Sequence, residues 1–382
     1  MHVAICNWRD LRHSEGGGSE LYVETVAARL AAAGHRVTLL CARVPGAPAD
    51  EVRSGVRYRR RGSHHTVYLA AAWALLSRQV RPDAIVDVHN GVPYLSRLVS
   101  RRPVVALVHH VHREQWSMVF GPRAARIGWW VESRLGPWIY RTSPYIAVSE
   151  ATRRDLVGLG VEPERISIVH NGTPHLPGPR VARSATPRIV VLGRLVPHKQ
   201  VEIVLAAIPA LRERHPGLVV DIVGQGWHDA ALKEHAAALG VTDAVAFHGY
   251  VDDQTKADLL ARAWLNAVPS VKEGWALSVV EAASVGTPSV AFAAAGGLRE
   301  SIVDGRTGVL VDGGAAELAR ALSDLLDDPA RRDQMGAAAR EHAAAFTWEA
   351  AAQGLEGVLS TALGRTTIVL DAVPEPAVSI AV

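Results

Sequence analysis

Cysteine is nearly missing from this 382-residue chain: only Cys6 and Cys41 occur, each inside an apolar run that reads as a buried strand. Their spacing suits neither metal nor redox work, so a reduced core pair is expected. No apolar run reaches the roughly 20 residues that a membrane-crossing helix needs. The opening Met1–Cys6 enters a short strand-like run and soon meets Arg9 and Asp10. That is unlike a secretory signal, and a cytoplasmic protein is expected. Lysine is absent from residues 1–178, which hold 23 Arg against 14 Asp and Glu; the remainder holds 18 basic against 24 acidic residues. Such asymmetry suggests two domains with different surroundings, the first suited to an anionic partner. Nucleic acid, anionic lipid and phosphorylated acceptors all fit that charge, although no nucleic-acid-binding module accompanies it.

What is present is α/β in pattern. At 48% hydrophobic and 21% charged residues, the composition is that of a globular protein, and the length suits two domains. Strand-length apolar runs alternate with helical-period segments, as in parallel α/β architecture. In the first half the strands are expected at Val3–Asn7, Arg36–Cys41, Ala84–Val88, Val104–Val108 and Tyr145–Val148. A helix at Ser19–Ala33 stops at Gly34. The stretch from Gly172 to Pro179 is rich in Pro and Gly and reads as a linker. Strands resume at Arg188–Leu192, Leu218–Val223, Ala244–His248, Leu265–Val268 and Ser289–Phe292. The expected division is 1–178, then 179–346, then a helix in 347–365 packing back on the first domain. Residues 366–382 are left unassigned.

In open parallel sheets, ligands bind beyond the carboxyl ends of the strands, where loops feed helix N-termini. Four segments fall there. Glu15-Gly-Gly-Gly-Ser-Glu20 opens the first helix, where glycines admit a ligand and free amides attract an anion; a flexible loop capped by Ser19 explains it equally. It lacks the Gly-Lys-Ser/Thr of a phosphate loop. His109 ends a strand in Val108-His-His-Val-His112 and can face a cleft, whereas His110 and His112 suit core or surface roles. One short segment cannot easily supply the ligands of a zinc site. Arg194 and Lys199 stand five residues apart at a helix entrance, placed to neutralise a diphosphate. Gly224 and Gly226 are only a fragment of a dinucleotide fingerprint.

The fourth segment, Glu273-Gly-Trp-Ala-Leu-Ser-Val-Val-Glu281, enters a helix expected at about 276–285. It offers the amides of Gly274, Trp275, Ala276 and Leu277 to phosphate or hydroxyl oxygens. Its two carboxylates can accept from separate diols, and Glu281 lies in an apolar helix where a buried carboxylate needs donors.

These residues resemble those of the retaining glycosyltransferases of family 4. The resemblance spans nearly the whole chain: Gly17-Gly18-Ser19-Glu20, Ser149-Glu150, Asn171-Gly172, Gly193-Arg194 with Lys199, and Glu273 with Glu281. It continues through Gly296-Gly-Leu-Arg-Glu300 and Asp304-Gly-Arg-Thr-Gly308. It implies a GT-B fold, two Rossmann-like doubly wound parallel-sheet domains facing across a cleft. It further implies that Arg194 and Lys199 bind the diphosphate of a nucleotide-sugar donor and that Glu273 and the 274–277 amides hold the sugar. Glu281 would hold the ribose, Gly17 and Gly18 would close over the phosphates, and His109 would stand near the reacting sugar. Base contacts are expected at Gly249–Val251. No Asp-x-Asp occurs, so metal-independent transfer without a cofactor is expected.

The expected donor is UDP-glucose, UDP-N-acetylglucosamine or GDP-mannose, and the acceptor a lipid, glycan or small molecule of glycoconjugate or cell-envelope biosynthesis. A non-catalytic nucleotide-sugar sensor and a GT-B epimerase remain alternatives. Acceptor contacts are expected in the first domain. Its Arg57, Arg59, Arg60, Arg61, Arg101 and Arg102, with Trp116, Met118, Phe120, Trp129, Trp130 and Trp138, suit a peripheral anionic membrane surface. A solvated edge and helix-core tryptophans are the plainer account.

Overall fold

The computed structural model describes residues 1–365. The stretch 366–382, for which the sequence suggests no element, lies outside the described residues. Two sheets carry the chain. The first contains β1 (His2–Cys6), β2 (Arg36–Cys41), β3 (Asp50–Arg53), β4 (Val56–Arg60), β5 (Ala84–His89), β6 (Val104–Val108), β7 (Tyr145–Ala147) and β8 (Ile166–Ile168). Its order is β3-β4-β2-β1-β5-β6-β7-β8, and every pairing is parallel except β3 with β4. The second contains β9 (Arg188–Leu192), β10 (Val219–Val223), β11 (Val245–Gly249), β12 (Leu265–Val268), β13 (Ser289–Phe292) and β14 (Gly308–Val311). It is wholly parallel in the order β11-β10-β9-β12-β13-β14.

The central strands are buried on both faces, which is why they read as unbroken apolar runs. On one face of the first sheet, Val3, Ile5, Val86 and Leu107 pack against helix Gly18–Ala32. On the other, Ala4, Ile85 and Ala106 meet helix Val67–Leu76 and the helices of residues 113–139. In both units the strand order reverses beside the first strand, β1 or β9, so loops from neighbouring strands diverge there and leave a crevice.

The chain crosses between sheets twice. Residues 169–187 carry no regular element. Helix Trp348–Ala362 returns to the first unit and buries Trp348, Leu355 and Leu359 in its core. Arg29 to Glu349 at 2.9 Å and His35 to Glu356 at 2.7 Å flank that contact.

Four strands escape a reading by hydrophobic pattern: β3, β4, β8 and β14. Strand β4 carries three arginines, yet its inward register is Val56, Tyr58 and Arg60, all buried. Arg60 is therefore no part of a basic surface. It is fully enclosed and donates from Nε to Asp10 at 2.7 Å, with Glu51 at 2.9 Å. Arg59 and Arg61 reach Asp50, and among the described residues Arg57 alone of that run forms no such pair. Cys6 and Cys41 are buried free thiols.

Candidate active site

Four loops meet at the carboxyl ends of β1, β6, β9 and β12. Beyond β12, Glu273 sits at the turn into helix Leu277–Ser284. Its carboxylate is 8% exposed and accepts from Lys199 Nζ at 2.5 Å. Burial alone would raise its pKa, but the Lys199 ammonium outweighs burial and holds the carboxyl below its ordinary range. Two turns along the helix, Glu281 is 7% exposed and accepts from Lys256 Nζ at 2.8 Å. Here burial wins: the pKa is raised, with Lys256 opposing the shift and Asp253 adding to it. The chain has four lysines. Lys199 and Lys256 hold these two carboxylates, and Lys272 crosses to Asp155 of the first unit at 2.6 Å.

The helix entrance is strained. Ala276, its N-cap, has φ +65°, a left-handed conformation that costs a side-chain-bearing residue about 1–3 kcal/mol. Around it, the amides of Gly274, Trp275, Ala276 and Leu277 donate to no protein acceptor among the described residues. They form a cradle for anionic or hydroxyl oxygens. Lys199 is followed by a second such residue, Gln200 at φ +48°, which starts helix Val201–Arg214.

Arg194 follows β9. Burial, then the charge of Arg9, lowers its pKa, and a guanidinium stays protonated throughout. Gly17 lies directly over it, since a Cβ there would sit 3.2 Å from Arg194 Nε; one on Gly18 would sit 3.1 Å from Leu277 Cδ1. The glycine loop of one unit thus covers the basic loop of the other. His109, at the end of β6, is 6% exposed, and its Nε2 has no partner. Burial lowers its pKa to about 4, leaving a neutral imidazole at pH 7. Its carbonyl oxygen lies only 2.0 Å from where a Cβ on Gly274 would stand, so glycine alone permits this approach.

Comparisons with known proteins show the family and the fold. The model described as "Glycosyl transferases group 1" matches residues 179–342, and "Glycosyltransferase Family 4" matches residues 16–175. A glycogen synthase of Mycobacterium tuberculosis is 30% identical, over 88% of this chain and 89% of its own length. The chain belongs to glycosyltransferase family 4. A D-inositol 3-phosphate glycosyltransferase of Catenulispora acidiphila is 31% identical over 91% of each chain. Among solved structures, sucrose-phosphate synthase from Thermosynechococcus elongatus superposes with a TM-score of 0.79 at 21% identity, over 95% of this chain and 99% of that one. Anabaena Alr3699/HepE, solved with UDP and glucose, gives 0.72 at 19% identity, over 94% and 100%. The fold is GT-B, and the protein is a glycosyltransferase enzyme.

Within this family 4 fold, Arg194, Lys199, Glu273, Gly274, Ala276, Leu277, Gly17, Gly18 and His109 converge on one cleft, and Glu281 lies buried two turns along the helix that starts there. Val251 follows β11, one residue before Asp252 caps the helix that carries Lys256. Two details differ from the sequence reading. Trp275 turns its ring away from the cleft, to lie 2% exposed against His170 at 4.7 Å and Phe346 at 4.6 Å, so only its amide faces the cradle. Ser19 is not the cap: Gly17 is, and its amide is already bonded to Glu20 Oε2 at 2.8 Å. His110 and His112, in line with the core or surface roles expected of them, spend ring nitrogens on Gln115 and Glu132.

Arg9, His198 and Lys256 were not singled out from the sequence. Arg9 is buried, Nε 3.1 Å from Glu20. His198 is held neutral with a pKa of about 3 by burial, then by Lys199 and Arg194. The rarity of lysine was the one available signal for Lys256.

On the outer side of the first unit, Trp129 packs into the core and Trp116 Nε1 donates to Glu132, so neither is a surface anchor. Trp130 and Trp138 remain 55% and 61% exposed, joined by Ile127, Met118 and Phe120. Helix Val67–Leu76, on the same sheet face, exposes Leu69, Trp73 and Leu76. Among the described residues, no helix is long and apolar enough to cross a membrane.

Proposed function

We propose that the protein moves a hexose from a nucleoside diphosphate sugar to an acceptor hydroxyl with retention of anomeric configuration. The observation that carries this reading is the pair of buried lysine-held carboxylates, Glu273 and Glu281, flanking free amides beside Arg194. Arg194 and Lys199 take the diphosphate, Glu273 with the 274–277 cradle takes the sugar hydroxyls, and Glu281 takes the ribose diol. The turn containing Val251 meets the base, and neutral His109 offers a hydrogen bond at the reacting sugar. UDP complexes of Anabaena Alr3699/HepE favour a uridine donor.

The acceptor oxygen attacks the anomeric carbon from the face the diphosphate leaves. The bond to the β-phosphate oxygen breaks, and the acceptor proton passes to that phosphate. Negative charge grows on the leaving group, where the two cations and amides are preorganised to meet it. On this reading no metal or other cofactor is required. Activity that disappears in EDTA and returns with a divalent ion would count against that part.

The acceptor is a lipid, glycan or small molecule of envelope or glycoconjugate synthesis, and the enzyme works at the cytoplasmic face of the membrane. Exposed Trp73, Trp130 and Trp138 among arginines on one outer layer support peripheral contact with anionic lipid. Sedimentation with anionic vesicles at low and high salt tests it, and absence from the pellet at both refutes it. A donor panel followed by thermal shift and slow donor hydrolysis tests the core reading. One nucleotide sugar should stabilise the protein and be hydrolysed; release of UDP with epimerised sugar, or binding without turnover, would favour the epimerase or the sensor.

A further inference from the structure

A cavity of about 380 Å³ lies between helices of the first unit and Lys272 of the second, a volume within the range of small-molecule sites. Arg113, Arg134, Arg154 and Lys272 line it against two carboxylates, Glu114 and Asp155. Lys272 is already paired with Asp155 at 2.6 Å. The three arginines are exposed and have no carboxylate in ion-pair distance among the described residues, and the lining as a whole carries four cations against two carboxylates. Guanidinium groups grouped in this way match a phosphate's oxygens bidentately.

The wall has an irregularity of its own. Helix Pro122–Trp130 runs into a five-residue π-helical turn, Val131–Leu135, before continuing as Gly136–Ile139. Such turns are uncommon and recur at functional sites, because they re-aim the side chains they carry. This one carries Ser133 and Arg134 to the cavity, while Glu132 on its other side fixes His112 and Trp116 at 2.9 and 2.7 Å.

Two chain segments connect the cavity to the donor cleft. Val111, on its wall, is two residues beyond His109, and Lys272 immediately precedes Glu273. The cavity wall and the donor cleft thus share two stretches of backbone. We propose that this cavity binds the phosphate ester of the acceptor, so that the enzyme glycosylates a phosphorylated alcohol. The inference rests on the donor reading above, since it supplies the second substrate of the same reaction.

The test is calorimetric titration of the full chain, saturated with UDP so that the donor site is filled. Glucose 6-phosphate is compared with glucose, and nanodiscs containing phosphatidic acid with nanodiscs of phosphatidylcholine alone. Binding of glucose 6-phosphate but not glucose, weakened about 10-fold or more in Arg134→Gln/Arg154→Gln, supports a soluble phosphoester. Binding confined to phosphatidic acid nanodiscs, with the same loss in the double variant, supports a lipid-borne phosphate. No phosphate binding from either source, or binding indifferent to the double variant, overturns the proposal. UDP is titrated separately into the wild type. Failure of UDP to bind sinks the donor reading, and the double variant's effect on phosphate binding without UDP still decides the cavity.

Discussion

Lys256 donates to Glu281 at 2.8 Å, from the helix Asp253–Arg262 to the helix Leu277–Ser284. Burial raises the Glu281 pKa, and this ammonium is what opposes the rise. A ribose diol needs the ionised acceptor, so donor affinity should fall as pH drops through the Glu281 pKa. Lys256→Met removes the opposing charge and should move that acid limb to higher pH, weakening UDP about 10-fold or more at neutral pH. Calorimetric titration of UDP from pH 5 to 8 checks it; overlapping profiles for the two proteins would show that Lys256 does not act through Glu281.

Gly274→Ala places a methyl group against the His109 carbonyl, where a Cβ would stand at 2.0 Å. The units must separate locally or the strained turn must shift, at a cost of about 1–3 kcal/mol. Expected are a lower Tm and a loss of turnover larger than the loss of UDP affinity. Thermal melts and donor kinetics on the purified variant decide this.

Arg60→Gln leaves Asp10 buried without its cation, so a loss of about 3–5 kcal/mol in unfolding free energy is expected from urea titration. Vesicle binding by the folded fraction should be unaffected, because the side chain is fully enclosed.

His109 sets an acid-side stability term. Its folded pKa, about 4, lies below its unfolded value near 6.5. The unfolded chain therefore takes up a proton first as pH falls, and folding stability is lost between about pH 6.5 and 4. The whole shift corresponds to about 3 kcal/mol. Comparing urea midpoints of wild type and His109→Gln across that window should show a smaller decline in the variant; equal declines would contradict a buried neutral imidazole.

The fold was legible because its central strands are buried on both faces and separated by amphipathic helices, so Val3–Cys6 and Arg188–Leu192 announce themselves. Strand β4 was hidden by composition, although the alternation of Val56, Tyr58 and Arg60 held the information that the third arginine faces inward. At the site, Glu273 to Glu281 was readable since a loop entering a helix is a local pattern. Lys256 was not, because its partner lies 25 residues away and only packing brings them together. The direction of Trp275 was equally hidden, being fixed by His170 and Phe346, each more than 70 residues distant in sequence.

The most direct test of the donor assignment is donor hydrolysis and UDP affinity measured together for Glu273→Gln. The account predicts turnover reduced about 100-fold or more, a loss larger than any change in UDP affinity, because Glu273 meets the sugar directly and the diphosphate only through Lys199. Wild-type turnover in this variant would contradict it.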